Sequence, residues 1–267
     1  MMMTPVNPST PVLEVTGLAK IFGGLRAVSD FNMTIQKGEL VGLIGPNGAG
    51  KTTAFNMITG LYFPTHGEIK FEGTSVVGLQ PHEITRMGIG RTFQNIRLFS
   101  NLSVLDNVRI AYHFHSGYSL TDGILRNANY SKNERELTEK TQDFLSIFHL
   151  NKFEGEIAKN LPYGQQRRLE IARALACNPH LLLLDEPAAG MNPKEITELM
   201  DLIHFIREKF DLTILLIEHQ MRLVMDICEK ITVLDFGEVI ARGTPVEIQN
   251  NPKVVEAYLG KGAANVA

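Results

Sequence analysis

The stretch Gly45-Pro46-Asn47-Gly48-Ala49-Gly50-Lys51-Thr52-Thr53 constrains this chain more than any other. It fits the pattern of Gly, four residues, then Gly-Lys-Ser/Thr, and its flanks give that pattern meaning. Leu40-Val41-Gly42-Leu43-Ile44 precedes it as an apolar run of strand length, and Ala54 to Ile58 continue it as a helix. Glycines let the backbone curl so that several N–H groups converge on anionic oxygens, and the helix start adds its positive end. In such a loop Lys51 reaches the β- and γ-phosphates and the Thr52 hydroxyl ligates Mg²⁺. A glycine-rich turn would match the spacing but not the strand–loop–helix order. The stretch predicts a nucleoside-triphosphate site on an α/β sheet.

The 267 residues suit one large domain, or one domain with a sizeable insert. A net charge of −3 argues against a nucleic-acid-binding surface. Cys177 and Cys228 both sit in apolar helical contexts, which favours buried free thiols and a reducing compartment. Met1 to Pro11 is polar and proline-rich, unlike a signal peptide. The longest apolar runs, around Leu181–Leu184 and Ile214–Ile217, fall far short of the roughly 20 residues that span a bilayer. The expectation is a soluble, cytoplasmic chain unless another subunit holds it at a membrane.

Val12 to Lys20, Ala27 to Ile35 and Gly67 to Glu72 read as strands of an antiparallel layer flanking the phosphate loop. From about Asn95 to Asn178 the pattern turns helical. Ser103 and Asp106 start one helix, Glu134 to Leu150 carries apolar residues at helical spacing, and Gly164 to Ala176 makes another. Between them His113 to Asn133, rich in Gly, Ser, Asn and Tyr, reads as a loop-like insert. A strand-and-helix rhythm then resumes with strand Leu181–Asp185, helix Lys194–Lys209, strand Thr213–Ile217, helix Met221–Cys228 and strand Ile231–Leu234. The expected organisation is a nucleotide-binding core over 12–94 and 179–260, interrupted by a helical subdomain over 95–178.

Leu181-Leu182-Leu183-Leu184-Asp185-Glu186-Pro187 is a buried strand ending in two acids, where α/β sheets bind ligands. Asp185 can hold Mg²⁺ through its water shell and Glu186 can polarise an attacking water. Leu161-Pro162-Tyr163-Gly164-Gln165-Gln166 opens a helix whose first N–H groups suit an anion.

The motif order is phosphate loop, Gln94 in Arg91-Thr92-Phe93-Gln94, the Leu161–Gln166 helix start, Leu-Asp-Glu-Pro, then His219 in Ile217-Glu218-His219-Gln220. From about Leu13 to Leu259 the chain resembles the ATP-binding cassette family, the ATPase subunits of ABC transporters. The resemblance implies a P-loop, RecA-like core with an antiparallel β layer and an inserted helical subdomain. It implies ATP and Mg²⁺ as cofactors, Phe22 stacked on adenine, and Gln94 touching Mg²⁺ and the attacking water. His219 matches the histidine that touches the γ-phosphate, and Glu186 and Asp185 match the catalytic and metal-holding acids. Leu161–Gln165 matches the signature that binds ATP held by the opposite subunit, with Pro162 where a Ser is usual. Backbone around Gly164 and Gln165 must then carry that contact. Asn192, in Ala189-Gly190-Met191-Asn192, stands where the family usually has Asp.

Phe22-Gly23-Gly24-Leu25, the signature helix from Tyr163-Gly164-Gln165-Gln166 through Ala174, Ala189-Gly190-Met191-Asn192-Pro193 and the insert at His113–Asn133 are together similar to one subfamily, the ATPases of high-affinity branched-chain amino acid importers. That implies a second ATP-binding subunit, identical or different, two transmembrane permeases and an extracytoplasmic binding protein, with this chain peripheral on the cytoplasmic face of the membrane. Urea, other amino acids or a lipid are the alternative cargoes. A soluble cassette protein acting on DNA or ribosomes is another alternative, against which a single phosphate loop with no basic tract speaks; a nucleotide-binding regulator that does not turn over is a third, against which Glu186 and His219 speak.

Overall fold

The computed structural model describes residues 10–113 and 128–259. In chain order the elements begin with β1 (Leu13–Phe22), β2 (Leu25–Ile35), β3 (Leu40–Ile44), α1 (Lys51–Ile58), β4 (His66–Phe71), β5 (Thr74–Ser75), α2 (Pro81–Met87) and β6 (Ile89–Arg91). Next come α3 (Val104–His113), α4 (Ala128–Ile147) and α5 (Tyr163–Leu175). The chain ends with β7 (Leu181–Asp185), α6 (Pro193–Lys209), β8 (Thr213–Ile217), α7 (Met221–Ile227), β9 (Lys230–Asp235), β10 (Glu238–Gly243), α8 (Pro245–Gln249) and α9 (Pro252–Leu259). The described residues form two compact units, one within Met1–Arg91 and His180–Ala267, the other within Thr92–Pro179.

In the first unit, a six-stranded sheet runs β10-β9-β3-β8-β7-β6, with β8 lying between the strand of the phosphate loop and the strand of the two acids. Every pairing except β10 with β9 is parallel. A parallel strand is covered on both faces, so its sequence is a continuous apolar run. All five residues of β3, of β7 and of β8 are buried. The second sheet, β2-β1-β4-β5, is antiparallel. Its inward residues Leu13, Val15, Leu18, Val28, Phe31 and Ile35 share one core with Ala54, Phe55 and Ile58 of α1 and with Leu43, Leu183 and Leu215. That packing holds the helix behind the phosphate loop.

Helices α2, α6 and α8 start alike, with Pro at the first position and Glu at the third. Proline's missing N–H costs nothing there, and the Glu carboxylate reaches back to the cap N–H. Glu83, Glu195 and Glu247 accept from Gln80, Asn192 and Thr244 at 2.7, 2.9 and 2.7 Å. That signal stood in the sequence for α2 and α8, neither of which was expected. Nor were the short edge strands β5, β6 and β10, which carry no long apolar run.

In the second unit, Val108, Leu145, Phe148, Leu169 and Ala172 are buried, and Phe144 lies edge-on to Tyr112 with centroids 5.5 Å apart. The Ser103 hydroxyl accepts from the Asp106 N–H at 3.0 Å, the expected helix start. The expected loop over His113–Asn133 needs correction. His113 ends α3 and α4 already runs from Ala128, while 114–127 lies outside the described residues. The helix extends through polar residues because elongation is cheap once the packed turns around Leu137 and Phe144 have nucleated it. Cys177 and Cys228 are both free, and burial pushes the Cys228 thiol up to about 12. Among the described residues no helix is long and apolar enough to cross a membrane.

Candidate functional site

The phosphate loop joins β3 to α1, and two of its glycines are obligatory. Gly45 has φ 151°, and a Cβ there would lie 2.0 Å from the Leu234 carbonyl oxygen. Gly50 has φ 101°, and its Cβ would lie 2.5 Å from the Ala27 oxygen. The loop is packed from behind by β9 and β2, which leaves backbone on its open side. Asn47 and Gly48 are exposed, Pro46 is partly covered and Ala49 is buried. The Gly237 N–H donates to the Ala49 oxygen at 2.9 Å, bracing the turn with the β9–β10 hairpin.

Lys51 opens α1 and is buried, as a lysine can be only when its ammonium has partners. Its Nζ donates to the carbonyls of Gly45 at 2.7 Å and Pro46 at 3.0 Å. Burial lowers its pKa, while the charges of Glu186 and Asp185 push it back up. Thr52 is exposed and Thr53 partly so.

Asp185 closes β7, buried, and accepts from Arg91 Nη2 at 2.8 Å. Arg91 comes from the neighbouring strand β6, and its Nη1 also donates to Asn56 Oδ1 at 2.7 Å and Thr59 Oγ1 at 2.9 Å. One guanidinium therefore ties α1 to the acid-bearing strand, a role the sequence did not disclose. Glu186 follows at φ 45°, left-handed for a non-glycine residue, and its N–H donates to Ile217 O at 2.9 Å. Such a conformation costs about 1–2 kcal/mol, and residues held in it cluster at functional sites. His219 Nδ1 lies 3.6 Å from Glu186 Oε2 and 3.8 Å from Glu218 Oε2. Parallel pairing that sets Asp185 opposite Ile217 brings the two turns together.

At the far end of β1, Phe22 is 42% exposed and packs edge-on to Tyr62, ring centroids 5.4 Å apart. Lys20 Nζ sits 5.0 Å over the Phe22 ring and donates to Phe63 O at 2.7 Å. Tyr62 as its neighbour was not foreseen.

In the second unit, Pro162 is the cap of α5 at φ −53° and the helix begins at Tyr163, so proline does fix the entry angle. The N–H groups of Gln165 and Gln166 close back onto the Pro162 oxygen at 2.9 and 3.0 Å. Those of Tyr163 and Gly164, in the first turn, precede the intrahelical ladder. One turn on, Arg167 is fully buried, and sequence reasoning had assigned it no role. Its Nη1 donates to Phe93 O and to Glu170 Oε2, both at 2.7 Å, and its Nη2 to Gln94 O at 2.9 Å. Glu170 Oε1 accepts from the N–H groups of Arg97 at 3.0 Å and Phe93 at 3.3 Å. Burial raises the Glu170 pKa, and the Arg97 N–H and the Arg167 charge oppose that rise. The signature helix thus grips the backbone on both sides of Gln94, whose own side chain is exposed. Asn192 caps α6, its Oδ1 accepting from Lys194 and Glu195 N–H at 3.0 Å each. An Asn caps as well as an Asp would.

A glycine cradle closed by a buried lysine between a strand and a helix, in the same parallel sheet as a strand that ends in Asp185, places the chain among the phosphate-loop nucleoside triphosphatases. The ABC transporter family model matches residues 28–189, more than half of the chain, and the chain belongs to that family as an ATP-hydrolysing cassette. A second model, for branched-chain amino acid ATP-binding cassette transporters, matches residues 238–264. The chain is 46% identical over 253 residues to the high-affinity branched-chain amino acid transport ATP-binding proteins BraF of Pseudomonas aeruginosa and LivG of Escherichia coli K12, covering 95% of this chain and 99% of each relative. Among solved structures it is similar to the ADP conformation of MJ1267, an ATP-binding cassette of an ABC transporter. There the TM-score is 0.81 at 30% identity, over 95% of this chain and 100% of that one.

Proposed function

We propose that this chain energises import of branched-chain amino acids as one ATP-hydrolysing subunit of a transporter. The observation that carries the cargo is the match of residues 238–264 to the branched-chain amino acid cassette model, a segment C-terminal to the nucleotide motifs. End-to-end identity with BraF and LivG supports it.

Each residue then has a task. The N–H groups of the phosphate loop and the start of α1 bind the phosphates, and Lys51 exchanges its two carbonyl partners for phosphate oxygens. Among the described residues no three His, Cys, Asp or Glu side chains could hold a metal alone. A Mg²⁺ here would be held by Thr52 and Gln94, and by Asp185 through its water shell, with phosphate supplying further ligands. When bound, it neutralises charge on the transferred phosphoryl group. Arg91 holds Asp185 in place for that water shell. Glu186, turned out of its strand, accepts a proton from the attacking water, and His219 donates to the γ-phosphate. Phe22 stacks on adenine. The open N–H groups of Tyr163 and Gly164 would bind the γ-phosphate held by a partner cassette, so hydrolysis needs two subunits; the Gln165 N–H, expected to share that contact, is already bonded to the Pro162 oxygen.

The remaining partners are two transmembrane permeases, with this chain peripheral at the cytoplasmic face of the membrane, and, through them, an extracytoplasmic binding protein. Phe99 and Leu102 are exposed on the segment after Gln94, which would receive a permease helix. Reconstitution with the permeases in vesicles tests the reading. Labelled leucine, isoleucine or valine should be taken up in an ATP-dependent manner. Uptake of urea or a lipid instead would refute the cargo.

A further inference from the structure

Glu218 is a fully buried carboxylate to which the hydrolytic roles above assign nothing. It follows directly on β8, and its two oxygens reach two different loops. Oε1 accepts from the Ala188 N–H at 2.9 Å, two residues beyond Glu186. Oε2 accepts from the N–H groups of His219 at 3.0 Å and Gln220 at 3.2 Å. Gln220 Nε2 completes the tie by donating to Ala188 O at 3.2 Å. The turn bearing His219 and the segment leaving Glu186 are thereby stitched by one carboxylate and one amide, beyond the single backbone bond from Glu186 to Ile217.

We infer that Glu218 is a positioning residue for hydrolysis, locking the His219 turn to the Glu186–Ala188 segment so that both side chains face one phosphate. The inference rests on the roles proposed for Glu186 and His219. Burying a carboxylate is costly unless its lone pairs are satisfied, and here three N–H groups satisfy them. A carboxylate is required because two acceptor oxygens must serve two loops at once. Glutamine offers a single oxygen, and its NH₂ would face an N–H. Either the Ala188 link or the His219–Gln220 link is lost, while volume and packing stay.

The test measures Glu218→Gln and Gln220→Ala in the assembled transporter, with nucleotide affinity and the number of ATP sites titrated on the same protein. Glu218→Gln should lower kcat roughly ten- to hundredfold, as small misplacements of reacting groups do. KM for ATP and site number should stay within about twofold. Gln220→Ala should move kcat in the same direction by less. A wild-type kcat in Glu218→Gln would overturn the inference. So would a loss of rate matched by an equal loss of ATP-binding sites, which marks a merely structural strut. Near-normal turnover in Glu186→Gln would instead remove the hydrolytic reading beneath it, whatever Glu218→Gln does.

Discussion

Replacing Arg167 with methionine probes the grip of α5 on the Gln94 segment. The guanidinium is fully buried and donates to Phe93 O, Gln94 O and Glu170, so its loss strands two carbonyls and a carboxylate. Breaking a buried ion pair by removing one partner costs about 3–5 kcal/mol. The penalty should depend on pH. Burial already raises the folded pKa of Glu170, and without Arg167 one opposing influence is gone, so it rises further. A raised carboxylate binds more protons folded than unfolded above the unfolded pKa. Stability then falls as pH rises from there through the folded value. Urea unfolding of Arg167→Met should therefore show a larger loss at pH 8 than at pH 5, and amide exchange should quicken at Phe93 and Arg97. Arg167→Met/Glu170→Met, which leaves no buried charge, should be more stable at pH 8 than Arg167→Met alone. A loss below about 1 kcal/mol at pH 8, or one equal at both pH values, would refute the reasoning.

Glu186→Gln should abolish steady-state hydrolysis while leaving ATP binding intact, read by phosphate release and nucleotide titration. Glu186→Gly, freed of its left-handed strain, should also raise the stability of the isolated chain by about 1 kcal/mol in a urea melt. Gly45→Ala should abolish nucleotide binding, because its Cβ meets the Leu234 carbonyl at 2.0 Å; a normal ATP affinity would count against the loop geometry. In the assembled transporter Gly164→Asp should nearly abolish hydrolysis by placing a negative charge where the partner's γ-phosphate is to lie. Pro162→Ala should change it only modestly. Wild-type turnover in Gly164→Asp would refute the assignment of the start of α5 to an ATP held in trans.

How much of this was legible can be argued from particular residues. Strands β7 and β8 were read to the residue, and β3 likewise, because a parallel strand buried on both faces writes itself as an uninterrupted apolar run. The phosphate loop was legible because its chemistry is backbone chemistry, and only glycine at Gly45 and Gly50 fits beside Leu234 and Ala27. Local spacing alone specifies such features. The sequence was silent on Arg91, Arg167, Glu170 and Glu218. A charged residue says nothing of its partner until strands pair and helices pack. Arg91 meets Asp185 because β6 pairs in register with β7. Glu218 serves Ala188 because β7 and β8 are neighbours although their ends are more than thirty residues apart in the chain. The sequence by itself determined which groups could touch a phosphate. The tertiary structure decided which buried charges hold those groups in place, because that depends on which backbone N–H groups converge on each carboxylate once water is gone.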